Sequence, residues 1–123
     1  MAEVKYLNKD EIIEIHEKIV EETGGSGGII NEGLVDVVLS QMKVSDDLIQ
    51  KSIVLLFGLI QNHPFIDGNK RTALECLDVF LDYNNKNFKV ENINEAEDII
   101  LKIAKNGISR NKVRIWIKKC IGD

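Results

Sequence analysis

The sequence predicts an all-α protein folded as one compact domain over residues 1–123, and three observations point that way. Apolar residues recur at three- and four-residue spacings in nearly every segment, which is the period of a helix with one buried face. The composition is 44% hydrophobic and 29% charged, rich in Ile, Leu, Lys and Glu, with a single proline. Such a chain is long enough to bury one sizeable core without disulfides or metal. Only Phe88-Lys89-Val90 reads as extended, and nothing in the sequence pairs with it clearly.

The helices follow in order. Asn8 is placed to cap a helix over Lys9–Thr23 that carries Ile12, Ile15, His16, Ile19 and Val20 on one face. On that apolar face His16 reads as a satisfied core or boundary histidine. Gly24-Gly25-Ser26-Gly27-Gly28 stops the helix, because four glycines in five residues lose too much backbone entropy to continue it, and a mobile loop is expected. The glycine run is no P-loop: it lacks the Lys-Ser/Thr pair and follows no evident strand. A second helix is expected from about Glu32 to Met42, burying Leu34, Val37, Val38 and Met42. Asp46 and Asp47 can cap a third, apolar almost all round through Leu48, Ile53–Phe57, Leu59 and Ile60, which should therefore be the central one.

Pro64 ends that helix, since a residue before proline is disfavoured in helical geometry, and so His63 sits at its exit. Ala73, Leu74, Leu77, Phe80 and Leu81 mark a fourth helix to Tyr83, followed by a turn at Asn84–Asn87. Asn94 is expected to open a fifth, with Ala96, Ile99, Ile100 and Ile103 inward and an end near Gly107. Ser109 then caps a sixth that buries Val113, Trp116, Ile117 and Cys120.

Charge and cysteine usage narrow the function classes. Net charge is −4, yet residues 1–50 carry 4 Lys+Arg against 11 Asp+Glu while residues 101–123 carry 7 against 1. The basic end reads as a solvated helix face or a dock for an acidic partner. A nucleic-acid-binding domain would be basic overall, so no direct nucleic-acid contact is expected. Cys76 and Cys120 have neither CxxC spacing nor the number for a four-ligand metal site and read as reduced packing residues. No signal pattern or membrane-length apolar run is evident, and a cytoplasmic location is the expectation.

The chemistry concentrates in His63-Pro64-Phe65-Ile66-Asp67-Gly68-Asn69-Lys70-Arg71, a loop feeding a helix. A helix start offers unpaired N–H groups and partial positive charge, a ready anion site. Gly68 lets the backbone approach a phosphate closely, and Asn69 can cap the helix or donate an amide hydrogen bond. Lys70 and Arg71 add fixed positive charge, Arg71 as a bidentate fork. Cations there oppose the dipole by roughly a few tenths of a kcal/mol each, which makes sense if an anion lies between. Asp67 supplies a hard oxygen for Mg²⁺, which takes one or two carboxylates plus substrate phosphates. His63 can accept a proton from an attacking hydroxyl near neutral pH. Phe65 reads as the anchor that pins the loop to the core. Phosphate transfer needs positioning, charge neutralisation and a proton acceptor, and this mixture of residues contains all three.

The same nine residues closely resemble the signature of the Fic/Doc (Fido) family, HxFx[DE]GN[GK]R. The helix ending in Gly24-Gly25, the Asn31-Glu32-Gly33-Leu34 segment and the overall size extend the resemblance to its compact death-on-curing (Doc) branch. It implies a mostly helical Fido fold with ATP as co-substrate and Mg²⁺. It also implies His63 as general base, Asp67 on the metal, and Gly68, Asn69, Lys70 and Arg71 on nucleotide phosphates. Lys70 stands where the AMP-transferring branch has glycine, and Leu74 where that branch has a second arginine. Doc-like members are similar to kinases that move the γ-phosphate to a hydroxyl of elongation factor Tu and arrest translation, and that reaction is the expectation here. Gly68 stands where Doc has alanine, so the loop alone leaves an AMP transferase as the alternative. A non-catalytic module that binds a nucleotide or partner is the second alternative. No Ser or Thr is followed by Glu four positions later, so the family's inhibitory [ST]xxxE[GN] helix is missing. Restraint of a toxin would then come from an antitoxin chain.

Overall fold

Five of the six helices in the computed structural model, which describes residues 3–123, begin at a side-chain oxygen that accepts a first-turn backbone N–H. Asn8 opens α1 (Lys9–Thr23) in a full capping box, accepting from Glu11 N at 2.8 Å while the Glu11 carboxylate accepts from Asn8 N at 3.0 Å. Asn31 caps α2 (Glu32–Val44), Asp47 caps α3 (Leu48–Asn62), Asn92 caps α5 (Ile93–Ala104) and Ser109 caps α6 (Arg110–Cys120). The exception is α4 (Asn69–Tyr83), which begins at Gly68 with no side-chain cap. No β-strand occurs among the described residues, so the all-α expectation holds.

α3 is the central helix, with α2, α4, α5 and α6 packed around it and α1 laid against α4 and α2. Its solvent-free faces explain its nearly uninterrupted apolar sequence. One charge is carried inside: the ammonium of Lys51 donates to Met42 O at 2.9 Å and Ser45 O at 2.6 Å, a cation on the negative end of α2. α2 and α3 approach closely at Gly58, where a Cβ would lie 2.6 Å from Val38 Cγ2, itself fully buried. Gly58→Ala is therefore expected to destabilise the fold by a net ~1–2 kcal/mol, overpacking outweighing alanine's better helix propensity. Thermal unfolding should show a fall of roughly 5 °C; an unchanged midpoint would mean that the two helices separate freely.

Three expectations are corrected. The buried stripe of α2 is Val35, Val38 and Met42, while Val37 is half exposed and Leu34 only partly covered. The helix is rotated because its contact is with α3 alone along most of its length, so a single seam at i, i+3, i+7 suffices. α5 opens at Asn92, not Asn94: Asn92 Oδ1 accepts from Glu95 N, and the helix ends at Ala104, short of Gly107. Phe88–Val90 finds a partner after all, Lys89 N donating to Cys120 O at 2.8 Å. Both cysteines are free and buried, and burial pushes both thiols upward, so neither is a ready nucleophile. No described helix is long and apolar enough to cross a membrane.

Candidate active site

The loop between α3 and α4 is shaped from both ends. His63 closes α3 in the left-handed region (φ 49°), which histidine tolerates better than most residues, and Pro64 prevents the helix from running on. Gly68 is also left-handed (φ 77°) and starts α4. Between these two reversals Pro64 and Phe65 turn inward, Ile66 and Asp67 face solvent, and His63 is exposed at the mouth.

Of the two roles expected of Asn69, cap or amide donor, the structure shows the second. Its Oδ1 accepts from Phe65 N at 3.1 Å and its Nδ2 donates to Phe65 O at 2.9 Å. The amide is 8% exposed and is engaged with the loop backbone on both sides, so Gly68 takes the cap position and Asn69 becomes a staple that fixes the loop. Of the side-chain groups expected on phosphate, this one is already largely committed. Phe65 is the anchor expected, 1% exposed.

His16 is more than a satisfied core residue. The ring lies 3.8 Å from the Phe65 ring at an interplanar angle of 7°, and its Nε2 donates to Asp67 O at 2.7 Å. It is 2% exposed and also lies beneath Gly68. α1 thus supports the loop at Phe65, Asp67 and Gly68 with one buried imidazole. Nothing in the sequence marked this, because the partners stand 51 residues apart.

The glycine segment was expected to be mobile, but it lies against the loop. Ile66 N donates to Gly28 O, and Ile30 N and Asn31 N donate to Pro64 O, with one antiparallel bridge between Ile29 and Phe65. Ser26 N donates to Asp67 Oδ2 at 3.3 Å, and the other carboxylate oxygen accepts from Gly68 N at 2.8 Å. Gly25 packs so closely that a Cβ would lie 2.8 Å from Asp67 Oδ2. Glycines are needed here for close approach.

Asp67, Lys70 and Arg71 are brought to the uncapped start of α4. No acidic residue occupies that first turn, and no carboxylate pairs with Lys70 or Arg71 among the described residues. The N–H groups of Asn69, Lys70 and Arg71 have no side-chain acceptor, in contrast to the other five helices. Lys70 and Arg71 also line a groove of about 510 Å³ between α4 and α5, with apolar walls at Leu74, Ile93, Ile100 and Leu101 and the carboxylates of Glu75 and Glu97 beside them. These groups fit a nucleotide with its metal: an open helix start for phosphate, two free cations, and one carboxylate with lone pairs to spare. No set of three or more His, Cys, Asp or Glu that could hold a metal ion occurs among the described residues.

The chain is 25% identical over 125 residues to "Protein kinase doc" of Escherichia phage P1, covering 97% of this chain and 98% of that one. It is 29% identical over 89 residues to "Toxin Doc" of Mycolicibacterium smegmatis, covering 66% of this chain and 68% of the relative. The family model for the Fic/DOC family matches residues 6–81, which includes α1, the glycine segment and the whole loop with α4. On the strength of that match the chain belongs to the Fic/Doc family, with relatives on its Doc branch.

Proposed function

We propose that this protein is the toxin of a toxin–antitoxin pair and that it transfers the γ-phosphate of ATP to a hydroxyl of a target protein. The observation that carries the reading is the start of α4, the one helix left without a side-chain cap, whose first turn also holds two cations with no carboxylate partner. That arrangement is unfavourable for an isolated helix and favourable for a phosphate chain.

The groove supports transfer from γ rather than α. Its walls at Leu74, Ile93, Ile100 and Leu101 suit a nucleoside better than phosphate oxygens. A nucleoside on that side of Lys70 and Arg71 leaves the outermost phosphate for the side of His63 and Asp67. In the reaction His63 takes the proton of the target hydroxyl, the oxygen forms a bond to the γ-phosphorus, and the bond to the bridging oxygen breaks, releasing ADP. Mg²⁺ bound at Asp67 and the nucleotide would neutralise charge on the phosphates. Lys70 and Arg71 hold that charge in place, Asn69 and His16 keep the loop in register, and Gly68 leaves room for the phosphate.

The test is label choice. Protein, Mg²⁺ and cell extract, or purified elongation factor Tu as the first candidate target, are incubated with ATP labelled at the α- or the γ-phosphate. Label from γ alone is expected, and its loss when the cognate antitoxin is added. Label from α alone would show an AMP transferase; ATP binding without any transfer would show a binding module.

A further inference from the structure

A second groove, of about 210 Å³, lies between the C-terminal half of α3, the end of α2 and the start of α6. Gln41, Phe57, Gln61, Asn62 and Arg110 line it, and Asn62 is the residue directly before His63. Its lining therefore reaches the end of α3 from which His63 emerges, and neither Asn62 nor His63 lines the groove between α4 and α5.

Arg110 is the one charged residue in this lining. It occupies the first position of α6, where a cation opposes the helix dipole, and α6, like α4, has no acidic residue in its first turn. No carboxylate pairs with it among the described residues, although its neighbour on the same helix, Arg114, is paired with Asp47. Its guanidinium is instead stacked over the Phe57 ring, 4.7 Å from the centroid. A guanidinium held over a ring face still has its edge donors free, and those donors can receive a carboxylate bidentately. Gln61 is tied to the last turn of α5, its Nε2 donating to Ile103 O at 3.1 Å, so the floor beside Arg110 is held in place.

We infer that this groove reads the substrate protein: Arg110 receives an acidic side chain close in sequence to the hydroxyl that His63 activates. The inference rests on the phosphate-transfer reading above and adds the class of acceptor, a hydroxyl with an Asp or Glu neighbour. A volume of about 210 Å³ is below that of a small-molecule site and suits one side chain. A nucleic-acid strand is disfavoured, since Phe57 is only 4% exposed and offers no stacking face, and the net charge of the chain is −4.

The test uses the whole protein with γ-labelled ATP and synthetic peptides bearing one Ser or Thr, with Asp, Asn or Lys placed in turn at each neighbouring position. Asp at one position should raise kcat/KM about tenfold over Asn, the scale of one charge-assisted hydrogen-bonded pair. Arg110→Gln should erase that preference through acceptor KM, with the KM for ATP held, and Arg110→Glu should transfer it to Lys. Where only a folded protein accepts label, the same comparison is made with its acidic residues near the acceptor changed to Asn. An acid preference that survives in Arg110→Gln, or label placed without regard to charge by the unaltered protein, overturns the Arg110 assignment alone. No γ-label on any peptide or extract protein overturns the transfer reading, and this inference with it.

Discussion

Replacing His63 by alanine is expected to lower the rate of phosphate transfer by about 10²-fold or more while ATP still binds, the usual size of a general-base contribution. The geometry makes this variant informative. His63 stands exposed at the end of α3, away from the groove between α4 and α5, so its loss removes a proton acceptor and leaves the phosphate site in place. Its left-handed backbone complicates alanine, which pays ~1–2 kcal/mol there. His63→Asn separates the two effects, since asparagine accepts that conformation: it should lose the same activity with less change in stability. Single-turnover transfer measured beside ATP binding decides the matter. Undiminished turnover in both variants would remove His63 from the mechanism.

Asn69→Ala should show the largest loss of stability, together with loss of activity. The substitution leaves both the N–H and the C=O of Phe65 buried without partners, at ~1–3 kcal/mol for each. A total of roughly 2–5 kcal/mol is a large part of the stability of a domain this size. Asn69→Asp keeps the acceptor for Phe65 N but offers no donor to Phe65 O, and should fall between the two. Denaturant unfolding measures the cost, and transfer rates show how far the loosened loop misplaces His63 and Asp67. A variant as stable as the parent would mean that the staple holds nothing.

Most of the fold was legible because its signals are local. Asn8, Asp47 and Ser109 announce helix starts within three residues of the groups they cap, and the apolar face of α4 is written at its own period. The misassigned cap of α5 shows the limit: Asn92 and Asn94 are equally good cap residues, and only the backbone decides between them. The loop residues were legible as a set because five chemically distinct side chains crowd nine positions without a packing reason. Their supports were not. The stack of His16 on Phe65 and the pairing of residues 28–31 with Pro64 and Ile66 join segments far apart in sequence, and no periodicity records such a contact. For Asn69 the sequence left two roles open, a cap or an amide donor, for a related reason: its residue type suits both, and only the fold shows that its amide reaches the Phe65 backbone.

The bare start of α4 has a consequence for how variants of this chain sort under selection. Acidic residues at positions 70 and 71 would complement the helix dipole by ~0.3–1 kcal/mol each, so a library screened for heat resistance alone should enrich them. A library screened for arrest of growth should discard the same substitutions. Positions 70 and 71 would then carry opposite signs in the two profiles, whereas buried positions such as Ile53 and Leu77 would be intolerant in both. Two maps of one gene, compared site by site, would locate the anion-binding turn without any ligand being known.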